Sequence, residues 1–259
     1  MSIDLSTISQ LREKTGAGIG DCKRALEEAG GEIDKAIEIL RKKGEIKAAK
    51  KSDRATNEGL VAIIRSGARI AVASLACETD FVARNDDFIQ AANQLAAKLL
   101  DTPKAEFVSW AEQVIKNELI VKIGENIKLG DYGVFSGAVL GSYLHSNKKV
   151  AAVVVLDGGS DELASELAMQ VAALSPKYLQ PADIPAPELE KEKEIYRENL
   201  KNEGKPENMF DKIIEGKLAK YYEEVCLQSQ VFIKDDSQKI SDLLVAAGAS
   251  VKEFKRFQV

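Results

Sequence analysis

The sequence predicts an α+β protein whose core contains one hairpin-and-helix pattern twice. Residues 60–76 are rich in Val, Ile and Ala around a single turn, which is typical of a β-hairpin. Over residues 88–100, Phe, Leu and Ala recur at helical spacing. Residues 139–174 repeat the same order of strand, turn, strand and helix. We therefore expect a duplicated α+β core with antiparallel sheets, flanked by further helical segments.

Three short helices are expected in the first fifty residues. Apolar side chains recur at helical spacing over residues 5–12, 19–29 and 33–40. Glycines separate these stretches, and the third helix is predicted to end at Gly44. Because such a bundle is too small to bury a large core, we expect it to dock or to bind something. The charged stretch that follows, residues 47–54, is interpreted as a solvated linker.

A hydrophobic residue, Phe81, lies in the polar loop at residues 77–86, between the first hairpin and its helix. It either folds back onto the hairpin or serves a function. The second copy closes the same connection with residues 158–160 alone, which are small. Since the fold does not need the longer loop for its architecture, the comparison favours a function. Asp86 or Asp87 is expected to cap the helix that follows.

Between the two copies, we expect a helix at residues 106–119, and Ile123 beyond it is either a core strand residue or an exposed contact. After a Pro-rich joint at residues 181–187, charged helical stretches occupy residues 188–200 and 206–225. Their broad charged faces and narrow apolar stripes predict a helical hairpin. We expect it to project from the body and to pair with itself or with another chain.

Composition limits the classes of function. The 259-residue chain has 36 basic and 41 acidic side chains and no long run of like charge, so direct nucleic-acid binding is not expected. Cys22, Cys77 and Cys226 are too widely spaced to indicate a disulfide framework or a metal site, and no cofactor is predicted. Residues 1–4 do not begin a signal peptide, and no apolar run could span a bilayer. We therefore expect a soluble cytoplasmic protein without a membrane partner.

Few residues could support catalysis. His145, the one histidine, lies at a predicted hairpin turn, and no Cys or carboxylate is placed near it by sequence spacing. The glycines of residues 16–20 follow a helix-like segment and not a strand, so a nucleotide-binding loop is not predicted there. One alternative is an enzyme that uses Asp80 as an acid or base, but no second catalytic group lies near it in sequence. We do not expect an enzyme.

Five separated motifs occur in order and span nearly the whole chain. They include the sequence Thr79-Asp80-Phe81-Val82, and the full set lies at residues 11–26, 79–85, 122–126, 141–145 and 254–257. Together they resemble the elongation factor Ts family, the nucleotide-exchange factors of elongation factor Tu. The resemblance implies binding to elongation factor Tu, both GDP-bound and nucleotide-free, and promotion of GDP release. A ubiquitin-binding adaptor built on the N-terminal helices is the less favoured alternative.

The resemblance also implies a domain organisation. It comprises a ubiquitin-associated-like three-helix domain with its linker, two similar core subdomains, a coiled-coil hairpin and a small C-terminal module. The corresponding boundaries are residues 1–53, 54–138, 139–187, 188–225 and 226–259. The residues themselves predict that the last part forms a short helix and a strand that returns to the sheet. Self-association, if it occurs, is expected through the coiled-coil hairpin.

Individual site residues follow from the same resemblance. Asp80 and Phe81 would enter the partner's GTPase domain and disturb its magnesium and phosphate site. Lys23 would touch the same domain from the N-terminal bundle. The remaining partner-binding residues that the resemblance implies are Thr79, Val82, Arg12, Ile19, Gly20, Ile123, Gly124 and His145.

Overall fold

The structure, a computed structural model, describes residues 3–259, except for the side chains of residues 45 and 47–50. The chain forms two compact units. The N-terminal unit comprises the described residues up to 135, together with residues 144–151 and 257–259. The C-terminal unit comprises residues 136–143 and 152–256. Helices and small sheets occur in both, so the predicted α+β class is confirmed.

Three helices open the N-terminal unit: α1 (Leu5–Thr15), α2 (Ile19–Glu28) and α3 (Ile33–Lys51). They enclose a small core in which Leu11, Cys22 and Leu26 are fully buried. α1 ends at Gly16, whose φ of 65° is left-handed and whose N–H donates to the carbonyl of Arg12 at 2.7 Å. A β-carbon would be disfavoured in this conformation, which explains the glycine.

The predicted end of the third helix was wrong. α3 continues through Gly44, which is buried, and on to Lys51. A Cβ added at Gly44 would lie 2.4 Å from Cγ2 of Val121, so this glycine permits close packing and does not end the helix. The first part of the predicted linker, residues 47–51, is therefore helical, and the Lys51 ammonium donates to the carbonyl of Gly124.

A three-stranded sheet follows the bundle. β1 (Glu58–Ser66) and β2 (Arg69–Cys77) form the predicted antiparallel hairpin, with Leu60 opposite Leu75, and β3 (Lys128–Ser136) completes the order β1-β2-β3. Between β2 and β3 lie four helices and one π-helical turn: α4 (Asp80–Ala83), α5 (Asp86–Asp101), α6 (Lys104–Val114), the π-helical turn Ile115–Leu119, and α7 (Ile120–Ile123). α5 packs across β1 and β2, and the fully buried Phe88 lies in this core.

Two local expectations in this region need correction. The cap of α5 is Asn85 and neither Asp86 nor Asp87, because the Asn85 side chain accepts from the N–H of Asp87 at 2.9 Å. Ile123 is not a strand residue, since it ends α7 and is half-buried against the core. Gly124 follows it in a left-handed conformation, with φ of 87°. The expected helix at residues 106–119 is α6 continued by the π-helical turn.

The second copy of the pattern is present as predicted. It consists of β4 (Val139–Leu144), β5 (Val150–Asp157) and α8 (Asp161–Leu174). Its strand-to-helix connection is short: Gly158 and Gly159 have positive φ, and Ser160 caps α8 by accepting from the N–H of Leu163 at 3.2 Å. Gly141 on β4 approaches α8 so closely that an added Cβ would lie 2.0 Å from the backbone carbon of Ala164.

The remainder of the chain contains the predicted helical pair and the returning strand. Its elements are α9 (Ala186–Asn202), α10 (Phe210–Val225), β6 (Val231–Phe232), β7 (Asp235–Lys239), α11 (Ile240–Ala246) and β8 (Ser250–Gln258). β8 joins the second sheet in the order β4-β5-β8, which confirms the returning strand. The two-stranded β6–β7 sheet was not predicted.

The apolar stripes of α9 and α10 bury one another. Leu200 of α9 packs with Phe210, Ile214 and Leu218 of α10 in one cluster. At the base of the pair, the Glu188 carboxylate accepts from the hydroxyls of Tyr178 and Tyr221 at 2.6 and 2.9 Å, and these bonds lower the pKa of Glu188. The hairpin is therefore held at its base by polar contacts and along its length by its own core. Its pairing with another chain stays a prediction.

This arrangement predicts which part of the hairpin is dispensable. Replacing residues 193–218 with a short Gly-Ser turn removes the distal cluster and leaves the base contacts in place. We expect the C-terminal unit to remain folded, with one cooperative thermal transition measured by circular dichroism. A longer deletion, of residues 188–224, also removes Glu188 and Tyr221 and should lower the midpoint. Aggregation of the shorter deletion would show that the distal half completes another core.

Candidate functional site

The loop between β2 and α5 presents Phe81 to solvent on a single helical turn. Phe81 is 84% exposed, whereas Val82 and Ala83 of the same turn are partly buried against the core. The interpretation in which Phe81 folds back onto the hairpin is therefore wrong. Single exposed apolar side chains are common, and Leu5 and Val245 are exposed to a similar degree on other helices. Exposure alone therefore shows only that Phe81 is available to a partner, and the case for a function rests on the longer loop that carries it. The polar loop also has more structure than expected, because residues 80–83 form α4.

The start of α4 is fixed by the side chain of Thr79. Thr79 is the N-cap residue, and its Oγ1 accepts from the N–H of Val82 at 3.4 Å. The same hydroxyl donates to Oε1 of Glu125 at 2.6 Å. One hydroxyl therefore joins the first turn of α4 to a carboxylate on the segment that follows α7.

The Glu125 carboxylate also holds the backbone that leads into α4. Its Oε2 accepts from the N–H of Glu78 at 2.9 Å and from the N–H of Thr79 at 3.0 Å. Two backbone N–H groups and one hydroxyl thus converge on one carboxylate. Hydrogen bonds to a charged acceptor are stronger than neutral ones, and together these three define the direction in which the loop leaves β2.

Glu78 makes the reciprocal contacts. Its carboxylate accepts from the N–H of Asn126 at 2.7 Å and pairs with Arg54 at 3.3 Å. The hydrogen bond from Asn126, and then the Arg54 guanidinium, lower the pKa of Glu78. The buried Asn126 amide donates to the Arg54 carbonyl at 2.8 Å. We call this set, Arg54, Glu78, Thr79, Glu125 and Asn126, the loop clamp.

Two features next to Phe81 bear on its chemistry: the ion pair of Asp80 and the protonation state of Cys77. Asp80 lies 3.1 Å from Arg84, one turn later, with both side chains substantially exposed, so the ion pair contributes little to stability. The Cys77 thiol donates to the Thr79 carbonyl at 3.2 Å. Burial, assisted by the nearby Glu125 charge, raises the pKa of Cys77 to about 12, so the thiol stays protonated at neutral pH and is a poor nucleophile.

The other predicted site residues also belong to the N-terminal unit. Ile19 begins α2 and is 58% exposed, with the exposed Gly20 next to it. Lys23 lies one turn further along, with a side chain that is 61% exposed and 3.9 Å from Glu27. Arg12 is exposed on α1. None of these four is needed for the core of the bundle.

The hairpin tip that carries His145 lies beside α4. His145 is exposed, and its Nδ1 accepts from the N–H of Asn147 at 3.5 Å. Residues 146–149 line a groove of about 360 Å³ together with Asp80, Arg84 and residues of β1. Lys149 and Glu58, which both line this groove, form an ion pair at 2.5 Å.

The structure brings two of the sequence motifs into direct contact. Thr79 and Glu125 are separated by 46 residues in the chain but share a hydrogen bond. Ile123 and Gly124, predicted as contact residues, lead directly into Glu125 and so border the same surface. Sequence reasoning assigned no role to Glu125, Glu78, Arg54 or Asn126. The only available signal was that Glu125 and Asn126 stand within one of the five motifs.

No group of three or more His, Cys, Asp or Glu side chains that could hold a metal ion is found among the described residues. Within the same part of the chain, no helix combines the length and apolarity needed to cross a membrane. What the site does offer is an exposed aromatic side chain on a braced turn, bordered by polar groups. A central aromatic with a polar rim is a common composition of protein-binding surfaces, so the site favours a protein-binding factor.

Comparisons with known proteins identify the family. The model of the elongation factor Ts family matches residues 78–259. Elongation factor Ts of Hydrogenobaculum sp. (strain Y04AAS1) is 43% identical over 273 aligned positions, which cover 100% of this chain and 99% of that protein. Elongation factor Ts of Desulfovibrio desulfuricans is 41% identical, with coverage of 100% and 98%. The chain belongs to the elongation factor Ts family, the nucleotide-exchange factors of elongation factor Tu in translation elongation.

Proposed function

We propose that this chain binds GDP-loaded elongation factor Tu and speeds the release of GDP by inserting Asp80 and Phe81 near the magnesium and phosphate site of the GTPase domain. The observation that carries the proposal is the 84% exposure of Phe81 on a turn held at its start by Glu125. An exposed side chain on an ordered turn can enter a partner without first leaving a core. It also loses little conformational entropy on binding.

The two residues of α4 contribute different interactions. Burying a phenylalanine in an apolar pocket of the partner supplies roughly 1.5–3 kcal/mol. The Asp80 carboxylate, already half-exposed, enters beside it. A new carboxylate near a magnesium ion and phosphates alters the coordination of the metal and raises the electrostatic free energy of the bound nucleotide. Insertion of the pair therefore favours the nucleotide-free state of the partner.

Thermodynamic linkage relates the weakening of GDP binding to the binding of the factor itself. A factor that weakens GDP binding is itself bound less tightly by the GDP-loaded partner, by the same factor. Each tenfold of weakening corresponds to about 1.4 kcal/mol of coupling. Phe81 alone accounts for about one or two powers of ten. The remainder is assigned to Asp80 and to the other contact residues on α2, at the end of α7 and at the His145 tip.

The direct test follows the release of a fluorescent GDP analogue from elongation factor Tu after mixing with excess unlabelled GDP. With increasing amounts of this chain, the release rate should rise and then saturate. No acceleration at any concentration, for a chain shown to be folded, would overturn the proposed function.

Lys23 is expected to steer association. Because its ammonium is exposed and only loosely paired with Glu27, the substitution Lys23→Glu should leave the fold unchanged. We expect Lys23 to meet an acidic surface of the partner, so the substitution should lower the association rate about tenfold at low salt. Since salt screens exposed charges over about 10 Å at ~0.1 M, the deficit should shrink as ionic strength rises. Stopped-flow association at several salt concentrations measures both effects.

A matched charge reversal serves as the control. Lys35 is also exposed on the N-terminal bundle, 2.7 Å from Glu32, and Lys35→Glu changes the net charge by the same amount. Its association rate should stay close to that of the unmodified chain. Equal rates for the two variants at low salt would show that Lys23 is only a solvated surface residue.

A further inference from the structure

We propose that Glu125 is the positioning residue of the exchange loop: its carboxylate holds residues 78–79 so that α4 is formed, and Phe81 presented, before the partner arrives. This inference rests on the proposed function and deepens it by naming the group that prepares the inserted turn. Glu125 does not need to touch elongation factor Tu in this role. It acts through Thr79.

A four-residue helix does not form on its own. Nucleation of a helical turn is unfavourable in water, and isolated helices become stable only at about 12–15 residues. Phe81 adds little packing because it is mostly exposed. Among the described residues, the apolar side chains of α4 that pack against the core are Val82 and Ala83, and both are half-buried. The order of α4 must therefore come largely from its two ends.

The C-terminal end of α4 is tied to the next helix. The N–H of Asn85 donates to the Val82 carbonyl at 3.0 Å, and the Asn85 side chain caps α5. These contacts come from residues adjacent in sequence, so they fix only the exit from the turn. The N-terminal end depends on Thr79 and on the distant Glu125.

Glu125 orients the hydroxyl that caps the turn. When the Thr79 hydroxyl gives its proton to Glu125, at 2.6 Å, its oxygen lone pairs remain to accept from the N–H of Val82. The two bonds from the Glu78 and Thr79 N–H groups to Oε2 then fix the backbone itself. Removing the carboxylate would leave the N–H groups of Glu78 and Thr79 without their acceptor. The Thr79 hydroxyl would also lose the acceptor that orients it.

Glu125 is itself held in place. The N–H of its neighbour Asn126 donates to the Glu78 carboxylate, and the Asn126 side chain donates to the Arg54 carbonyl. On the other side, the Gly124 carbonyl accepts from Lys51. Residues 78–79 and residues 125–126 thus each supply a carboxylate that accepts from the backbone N–H groups of the other segment. Such reciprocal bonding gives a defined position to both segments.

The effect on nucleotide exchange depends on the fraction of molecules in which α4 is formed. If α4 is formed only a fraction of the time, the apparent binding strength of the loop falls by that fraction. We expect Glu125→Ala to slow GDP release from elongation factor Tu by about tenfold, which corresponds to a turn formed about one tenth of the time. Glu125→Gln keeps one neutral acceptor oxygen and should restore part of the lost rate. Glu118→Ala, which removes an exposed carboxylate from the preceding turn, should have no effect.

Amide hydrogen exchange of the free chain measures directly how well residues 78–85 are ordered. In Glu125→Ala, exchange should become faster across residues 78–85 and stay unchanged in the N-terminal helices and in α8. This measurement needs no partner, so it is independent of the proposed function. Unchanged exchange across residues 78–85 would overturn the inference.

A double variant separates the inference from the function on which it rests. Because Glu125 acts through the loop, adding Glu125→Ala to Phe81→Ala should slow release much less than it does in the unmodified chain. A full tenfold loss in both backgrounds would show that Glu125 acts elsewhere, and the inference would fail. A normal rate of GDP release with Glu125→Ala, together with a slow rate with Phe81→Ala, would reject the role of Glu125 and leave the proposed insertion of Phe81 standing. A normal rate for Phe81→Ala would instead reject the proposed insertion.

Discussion

Replacing Phe81 with alanine should slow GDP release from elongation factor Tu by roughly ten- to a hundredfold and leave the fold intact. The rate loss follows from the roughly 1.5–3 kcal/mol that a buried phenylalanine contributes in the complex, at about 1.4 kcal/mol per power of ten. The fold is spared because Phe81 is 84% exposed, so its removal creates no cavity. Release of a fluorescent GDP analogue and thermal unfolding of the free chain measure the two effects.

The same substitution seven positions later provides a contrast. Phe88 begins the apolar face of α5 and is fully buried in the core of the N-terminal unit. Phe88→Ala should lower the free energy of unfolding by about 3–5 kcal/mol. If Phe81→Ala also lowered the thermal midpoint by several degrees and exchange survived, Phe81 would be a packing residue and the proposed insertion would be wrong.

A large loss of stability is also expected from Gly141→Ala in the C-terminal unit. A Cβ added at this position on β4 would lie 2.0 Å from the backbone carbon of Ala164 and 2.1 Å from the backbone nitrogen of Ser165. Backbone atoms cannot move aside as the end of a long side chain can, so α8 would have to shift away from the sheet. We expect a loss of about 3 kcal/mol or more in the free energy of unfolding, measured by denaturant titration.

Gly216→Ala is the matched control. Gly216 lies inside α10, in the same C-terminal unit, and a Cβ added there would have no neighbour within 4 Å. Since alanine favours a helix over glycine by about 1 kcal/mol, this variant should be more stable than the unmodified chain. Opposite signs for the two glycine-to-alanine changes are the expected result. A neutral Gly141→Ala would contradict the close approach of β4 and α8.

Local patterns were sufficient to predict most helices and strands. The two hairpins were predicted from runs of Val, Ile and Ala around a turn. The helices α5, α8 and the α9–α10 pair were predicted because their apolar residues recur at helical spacing. β3 was not predicted because its apolar residues are few (Leu129, Val134 and Phe135), and Phe135 is the one residue of the strand that is buried. The π-helical turn after α6 was missed as well, since its sequence fits an ordinary helix.

Gly44 shows why one residue type can mislead. A glycine after an apolar helical stretch is a common signal for the end of a helix. Here its missing side chain makes room for Val121, a contact between segments far apart in sequence. Only the tertiary structure distinguishes the two uses of glycine.

The site could be predicted in part. Phe81 was singled out because the second copy of the pattern lacks the loop that carries it, which is a comparison within the sequence. Glu125 could not be assigned in this way, because its partners Glu78 and Thr79 are 47 and 46 residues away. A glutamate next to a glycine has no local pattern that indicates a long-range acceptor. The exposure of Phe81 and the bracing of its turn required coordinates.

The short connection in the second copy has a consequence for how the duplicated core diverged. A Cβ added at Gly158 would lie 2.3 Å from the carbonyl oxygen of Gly248, and the φ of 78° at Gly158 already excludes most other residues. Position 158 therefore cannot hold a side chain unless residue 248 also moves. The two copies of the pattern therefore differ at this connection. The first joins its strand to its helix through residues 78–85, whereas in the second the same connection packs against residue 248. Residues 78–85 contain no glycine, so a copy grafted in place of residues 158–160 would bring side chains to this corner, and we expect it to displace residue 248.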